Sequence, residues 1–184
     1  GCGMPKKYLR SAICAVVLGL VAVPASASED IAIPHRTPHG GKPLGDVVCF
    51  GTTRQDNESA VRATNATRKA RGLKPLRASS DLALAAARHA CDMARRSVIS
   101  HRGTNSRGPM QRVKKTGYKP GIAAENIAAG PWGQEQVLTE WVRSKGHLDN
   151  ILIPQIRDYG IGKAIGADGR TVFWAAVYSA PKRR

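Results

Sequence analysis

A chain of 184 residues with 29 Lys and Arg against 13 Asp and Glu carries a formal net charge of +16, a field that attracts polyanions in general. Aromatic residues make up only 5%, too few for base-stacking platforms, and no nucleic-acid-binding motif is present, so nucleic acid is excluded as the expected partner. The basic residues are scattered, from Arg68 and Lys69 to Lys182, Arg183 and Arg184; they read equally as a solvated surface and as a preference for anionic envelope polymers or lipid surfaces.

Residues 1–27 have the three parts of a secretory signal. Lys6, Lys7 and Arg10 are the positive region, Ser11 to Val23 run apolar, and Ala25-Ser26-Ala27 is a small-residue cleavage site. Gly1-Cys2-Gly3 stand before Met4 and read as extra residues. A spanning helix needs about 20 apolar residues, and this run is shorter, so no transmembrane segment is expected after cleavage. Ser11-Ala12-Ile13 before Cys14 is not a lipobox. The expected destination is the periplasm or the medium. Losing Lys6, Lys7 and Arg10 with the leader takes the net charge from +16 to +13. The remaining length suits one domain with a core of its own.

Of the four cysteines, Cys49 and Cys91 survive cleavage. An even count in an oxidising compartment points to one disulfide, stapling the N-terminal arm to the domain. Two free buried cysteines are the alternative.

Residues 28–55 are rich in Pro and Gly and read as an irregular arm. His35 and His39 stand four apart, but Pro34, Pro38 and Gly40 deny them a helix, so they are solvated arm residues. Helical spacing begins at Asn57 and runs to Arg71, with Gly72 as the stop. Leu73 to Leu76 is an extended link, and Ser80 is the N-cap candidate for the next helix. Leu82, Ala85, Ala86, His89 and Met93 share one face of it. His89 on that apolar face reads as a satisfied core histidine and is left out of the site.

Ser100 to Arg107 is a polar loop, Met110 to Thr116 a short helix stopped by Gly117, and Ile122 to Ala128 an extended segment carrying Glu125. Trp132 lies in the next loop, either half-buried or open to lipid or sugar. Gln134 to Ser144 is a helix, and Gly146 to Ile153 a short helix or turn closed by Pro154. Tyr159–Ile165 and Thr171–Ser179 are strands joined at Asp168-Gly169, a hairpin signal. Val172 to Tyr178 is continuously apolar, as a strand covered on both faces is. Helices followed by strands give an α+β fold, a three-layer α-β-α sandwich over a central, mostly antiparallel sheet. The folded domain is expected over residues 56–180, with a basic tail at 181–184.

Four segments belong together: Ser100-His101-Arg102-Gly103, Ala124-Glu125-Asn126-Ile127-Ala128, Trp141 through Leu152, and Tyr159-Gly160-Ile161-Gly162 with Trp174 beyond. In this order, with Asn65-x-x-Arg68, Gly72-Leu73 and Asp92-Met93, they resemble a bacterial CAP domain. This is the SCP-like superfamily of cysteine-rich secretory, antigen 5 and pathogenesis-related proteins. The resemblance covers residues 58–179 and implies an α-β-α sandwich with a central cleft lined by two histidines and two glutamates. In many members of the family those histidines can bind a divalent metal, and the resemblance implies the same capacity here. The first histidine matches His101, the first glutamate Glu125 and the second histidine His147. The second glutamate, three residues after Trp141, is replaced by Ser144. Glu140 shares a helical face with Ser144 but lies a turn away along the axis, so it is not favoured as a substitute.

The residue chemistry stands beside the resemblance. Two neutral imidazoles suit Zn or another divalent metal and leave positions open for water. Glu125 is then a third ligand, an orienter, or a catalytic base on bound water. In the opposing reading, His101 and His147 hydrogen-bond to Glu125 and close the cleft as a polar network, with no cofactor. A serine hydrolase is disfavoured: Ser100 and Ser144 supply hydroxyls, but no Gly-x-Ser-x-Gly elbow is present. The favoured function is a binding module for a divalent metal, lipid or cell-envelope ligand, because the acidic set is incomplete. A metal-assisted hydrolase of peptide or glycan and a non-catalytic envelope or stress-related structural protein are the alternatives. A fold of this kind does not choose among them.

Overall fold

The computed structural model describes residues 31–32 and 45–183. The expected signal, His35 and His39 lie outside the described residues. Within the arm are two short strands, β1 (Ile31–Ala32) and β2 (Val48–Cys49). Helix α1 (Arg54–Lys69) begins three residues before the apolar spacing does, because Thr53 caps it. The Thr53 backbone is extended and its side chain accepts from the Asp56 N–H. After β3 (Arg77–Ala78) comes α2 (Ser80–Arg96), capped by Ser79 rather than Ser80. The Ser79 hydroxyl accepts from Leu82 N at 3.3 Å, and Ser80 is already helical. Ser97 ends α2 in the left-handed region at φ 51°.

β4 (Val98–Ile99), α3 (Pro109–Lys114) and the long strand β5 (Pro120–Gly130) follow. Then come α4 (Gln134–Arg143), α5 (Lys145–Ile151), β6 (Asp158–Ile165) and β7 (Val172–Pro181). The main sheet has the order β2-β6-β7-β5, with β3 joined to β6. Only the β3–β6 pairing in it is parallel. β1 pairs separately with β4.

The alternation of β7 defines the layers. Phe173, Ala175 and Val177 face the cluster built on Leu82, Ala86 and Met93 of α2 and Val113 of α3. Trp174, Ala176 and Tyr178 face Ala60 and Val61 of α1, Val137 and Trp141 of α4, and Ile151 of α5. Side chains alternate across a strand, so a strand buried on both sides must be apolar throughout, as the sequence indicates. The sheet is therefore the middle layer of an α-β-α sandwich. Leu82 and Met93 are fully buried; truncating either to Ala is expected to cost about 2–5 kcal/mol.

Gly160 and Gly162 explain how closely α2 lies on β6. A Cβ on Gly160 would come within 2.0 Å of Ala83 N, and one on Gly162 within 2.2 Å of Ala87 N. Helix backbone rests directly on strand backbone, with alanines as spacers. The disulfide joins Cys49 of β2 to Cys91 of α2 across 42 residues, a loop whose closure is worth about 4 kcal/mol in the chain-entropy account.

Candidate functional site

β5 is the edge strand of the sheet beside β7, and the site is built around it. Glu125 pairs with Val177 and so shares the α2 face; Asn126 pairs with Ala176 and points to the α4–α5 layer. The two adjacent polar residues thus serve opposite sides of one strand.

On the α2 side Glu125 is 3% exposed. Its Oε1 accepts from His101 Nδ1 at 2.9 Å and its Oε2 from Arg112 Nη2 at 2.5 Å. Arg112 reaches in from α3, and its Nη1 also donates to the His101 carbonyl and to Ser106 Oγ, each at 2.9 Å. One guanidinium therefore locks the His101 loop to the carboxylate. His89 of α2 completes the nest, with Nε2 3.7 Å from Glu125 Oε1.

Burial pushes the Glu125 pKa up, but the His101 hydrogen bond, then the charges of His89 and Arg112, outweigh it and hold the carboxyl below its ordinary value. Burial dominates at His89 and pulls its pKa down, so at neutral pH that imidazole is uncharged and the positive charge facing Glu125 is chiefly Arg112, while His89 adds its charge only in acid. His89 Nε2 lies 2.8 Å from the Ser100 carbonyl. A carbonyl only accepts, so Nε2 bears the proton and Nδ1 is the bare nitrogen.

On the other side the groups are amides. Asn126 Nδ2 donates to the His147 carbonyl at 3.0 Å and to the Tyr178 hydroxyl at 3.1 Å. Asn150 Nδ2 donates to Asn126 Oδ1 at 2.8 Å and to the Glu125 carbonyl at 3.1 Å. Trp141 Nε1 donates to the Ile127 carbonyl at 3.4 Å. The bonds to the Glu125 and Ile127 carbonyls occupy acceptors of an edge strand that would otherwise be open to another chain. The network also positions His147 on α5, with its ring 6.4 Å from that of Trp141. Burial lowers the His147 pKa, the charge of His101 lowers it further, and a bond to the Ile127 backbone opposes both. His101 and His147 therefore approach from opposite layers, near enough for their charges to interact.

Several sequence expectations need revising. His101 bonds to Glu125, whereas no hydrogen bond from His147 to Glu125 occurs among the described residues. His89 is buried on the apolar face as expected, but only its Nε2 is bonded, its Nδ1 has no partner among the described residues, and it lies beside Glu125. Ser144 joins α4 to α5 with an extended backbone and makes no side-chain cap bond. Glu140 pairs with exposed Arg143 at 3.5 Å instead of filling the vacancy. Trp132 is half-buried; its carbonyl accepts from Trp174 Nε1 at 3.1 Å and its ring covers Gly130. Sequence reasoning missed Arg112. The one signal for it was a basic residue beside Val113 in a short helix between the two cleft segments.

Among the described residues, no group of three or more His, Cys, Asp and Glu is arranged to hold a metal ion. Of the three expected cleft residues, Glu125 is taken up at both oxygens by His101 and Arg112, which leaves the imidazoles of His101 and His147 as the sequence-expected donors. With His101 Nδ1 donating to Glu125, its Nε2 is the available donor nitrogen, and Glu125 orients the ring instead of ligating.

The CAP family model, described as the cysteine-rich secretory protein family, matches residues 61–178. Protein YkwD of Bacillus subtilis (strain 168) is 34% identical over 105 residues, which are 57% of this chain and 41% of that protein. The chain thus spans less than half the length of this curated relative. Among solved structures, an extracellular protein containing an SCP domain from Bacillus anthracis str. Ames is 25% identical, with a TM-score of 0.60 over 70% of this chain and 41% of that one. An outer surface protein from Borrelia burgdorferi is 20% identical, with a TM-score of 0.63 over 76% of this chain and all of that one; at that identity it shows the fold alone.

Proposed function

The chain belongs to the cysteine-rich secretory protein (CAP) family, and from that premise we propose that it is an exported binding module whose cleft, bounded by His101, Glu125 and His147, holds a divalent ion or a cell-envelope ligand. The observation that carries binding over hydrolysis is the state of Glu125. A general base needs a lone pair free to reach water and a pKa near the working pH. Glu125 is buried, ionised and bonded at both oxygens. Its service is to hold His101, whose side chain is 42% exposed.

A divalent ion such as zinc would be held by His101 Nε2 and His147, and would supply Lewis acidity and open positions for a further ligand. Two imidazoles make a weak site, and Ser144, at the position of the missing acid, adds no charge. Export is supported by the signal pattern of residues 6–27 and by a disulfide that suits an oxidising compartment. The relative from Bacillus anthracis is described as extracellular. The basic surface favours anionic envelope polymers or lipid head groups as partners.

Zinc titrated calorimetrically into the purified domain is expected to give a saturable heat that His101→Ala and His147→Ala abolish. Equal heats from all three proteins would remove the metal from this reading. Retention on peptidoglycan and anionic liposomes should weaken as salt rises; retention indifferent to salt would remove the polyanion.

A further inference from the structure

The outer face of α2 forms one wall of a groove of about 1000 Å³, and the chain from Cys49 to Glu58 forms the other. The groove lies at the β2 edge of the main sheet, whereas the cleft of His101 and His147 lies at the β5 edge. Ser80, Leu84, Arg88, Cys91 and Arg95 run along it in steps of three and four residues, which keep to one helical face. At about 1.5 Å of rise per residue this stripe is about 22 Å long. The disulfide joins the two walls, Cys91 on the helix to Cys49 on the arm. β2 meets β6 only at Val48 and Cys49, so a covalent tie, more than the ladder, holds the arm opposite α2.

The groove combines positive charge with apolar surface. Arg54 is matched by Glu58 at 2.7 Å. Arg88 and Arg95 are exposed and make no ion pair or hydrogen bond among the described residues. They stand about one turn on either side of Cys91, so two uncompensated guanidiniums border the same stretch of wall. One turn before Arg88 comes Leu84, which is 42% exposed although every other apolar residue of α2 is buried. Half-buried Phe50 carries apolar surface onto the opposite wall.

We propose that this groove docks an extended acidic segment of another polypeptide, with carboxylates on Arg88 and Arg95 and an apolar side chain on Leu84. A guanidinium fork matches a carboxylate bidentately. A polyanion without apolar groups uses the arginines and leaves Leu84 in water. A glycan is held through open hydroxyls and amides, whereas Thr52 and Asn57 here are already bonded to Ile161 and Ser79. An acyl chain needs a dry channel, and these walls carry Arg54, Glu58 and Ser80. A second copy of this chain, at +16, brings charge of the same sign. At about 3.3 Å per residue, roughly seven extended residues span the stripe. The groove and the imidazoles occupy opposite edges of the sheet, so this reading and the metal reading can fail separately.

The probe is a seven-residue peptide of glutamates around one central leucine. Beside it stand the same peptide with glutamines for the glutamates, the same with serine for the leucine, and inorganic polyphosphate. Fluorescence anisotropy on the purified protein gives the affinities, and amide NMR gives the place. The probe is expected to saturate and to shift the resonances of Leu84, Arg88 and Cys91. It should bind at least tenfold tighter than the glutamine peptide and severalfold tighter than the serine peptide. Arg88→Ala and Arg95→Ala should each weaken it about two- to fivefold, the worth of one exposed ion pair, and Leu84→Ser severalfold. All three positions are exposed, so the core is left intact. His101→Ala, at the far edge, should leave the affinity unchanged. Cys49→Ser together with Cys91→Ser unties the arm and should weaken the probe; if that double variant does not fold, the three exposed-position variants decide. Polyphosphate binding as tightly at the same resonances would overturn the proposal in favour of a polymer read by charge alone. Either analogue peptide binding as tightly as the probe would overturn it too. So would an affinity that survives all three exposed-position variants, or the absence of saturable binding.

Discussion

The two faces of β5 solve the same problem with different chemistry. Toward α4 and α5, Asn126 and Asn150 close a neutral amide network around Tyr178 and the His147 carbonyl. Toward α2, Glu125 is a buried charge held by Arg112 and His101. The amide side leaves neither side-chain amide nitrogen idle, and it fixes backbone. The charged side ends in an exposed imidazole at one end and two orphaned atoms at the other. A neutral network at an edge strand is a fastener, whereas the charged network keeps ends that its own partners do not close.

The contrast predicts unequal damage. Arg112→Ala leaves Glu125 buried without its main countercharge and is expected to cost about 3–5 kcal/mol, the range for breaking a buried pair from one side. Asn126→Ala strands the His147 carbonyl and one amide bond of Asn150, and is expected to cost about 1–3 kcal/mol. Urea denaturation midpoints at neutral pH measure both. Equal losses would mean that the charged nest is no more demanding than the amides. His101→Ala removes a bond to a partly exposed imidazole, and screening should keep its cost below about 1 kcal/mol. That variant then separates stability from function, since it should abolish the zinc heat while barely moving the midpoint.

Much of this architecture was legible in the chain. The unbroken apolar run of β7 can only be a strand covered twice, and the helical face from Leu82 to Met93 has one reading. Cys49 and Cys91 were a pair by count and compartment. The short strands β2 and β3 were not legible, because two residues carry no period and are defined only by where β6 lies. The caps fell one position from the expected Ser80, or were unnoticed at Thr53, because a cap is defined by the N–H it accepts from. His101 and Glu125 were found as a constellation, but Arg112 and His89 join them only through the register that puts Glu125 opposite Val177. A basic residue in a six-residue helix does not announce that it is buried.

The smallest contrast lies in acid. His89 has a folded pKa below its unfolded value, chiefly through burial. Above the unfolded value, about 6.5, both states are neutral and the native state keeps its full stability. As pH falls below it the unfolded chain binds the proton first, so stability drops. His147 shifts the same way. Glu125, held low despite burial by His101, His89 and Arg112, adds a second loss. Its stabilisation is complete above the unfolded carboxylate value of about 4.3 and fades as pH falls through its folded pKa. Denaturation midpoints between neutral pH and pH 3 should therefore fall in two phases. Glu125→Gln should shrink the lower phase to the part that Asp92 and Asp168, also held low, contribute, and keep the upper. His89→Gln should reduce the upper phase to the part that His147 contributes. Asn126 and Asn150 do not titrate, so Asn126→Ala should shift the whole curve down without changing its shape. A change in the curve's shape with Asn126→Ala would show that the two faces of β5 are one coupled network.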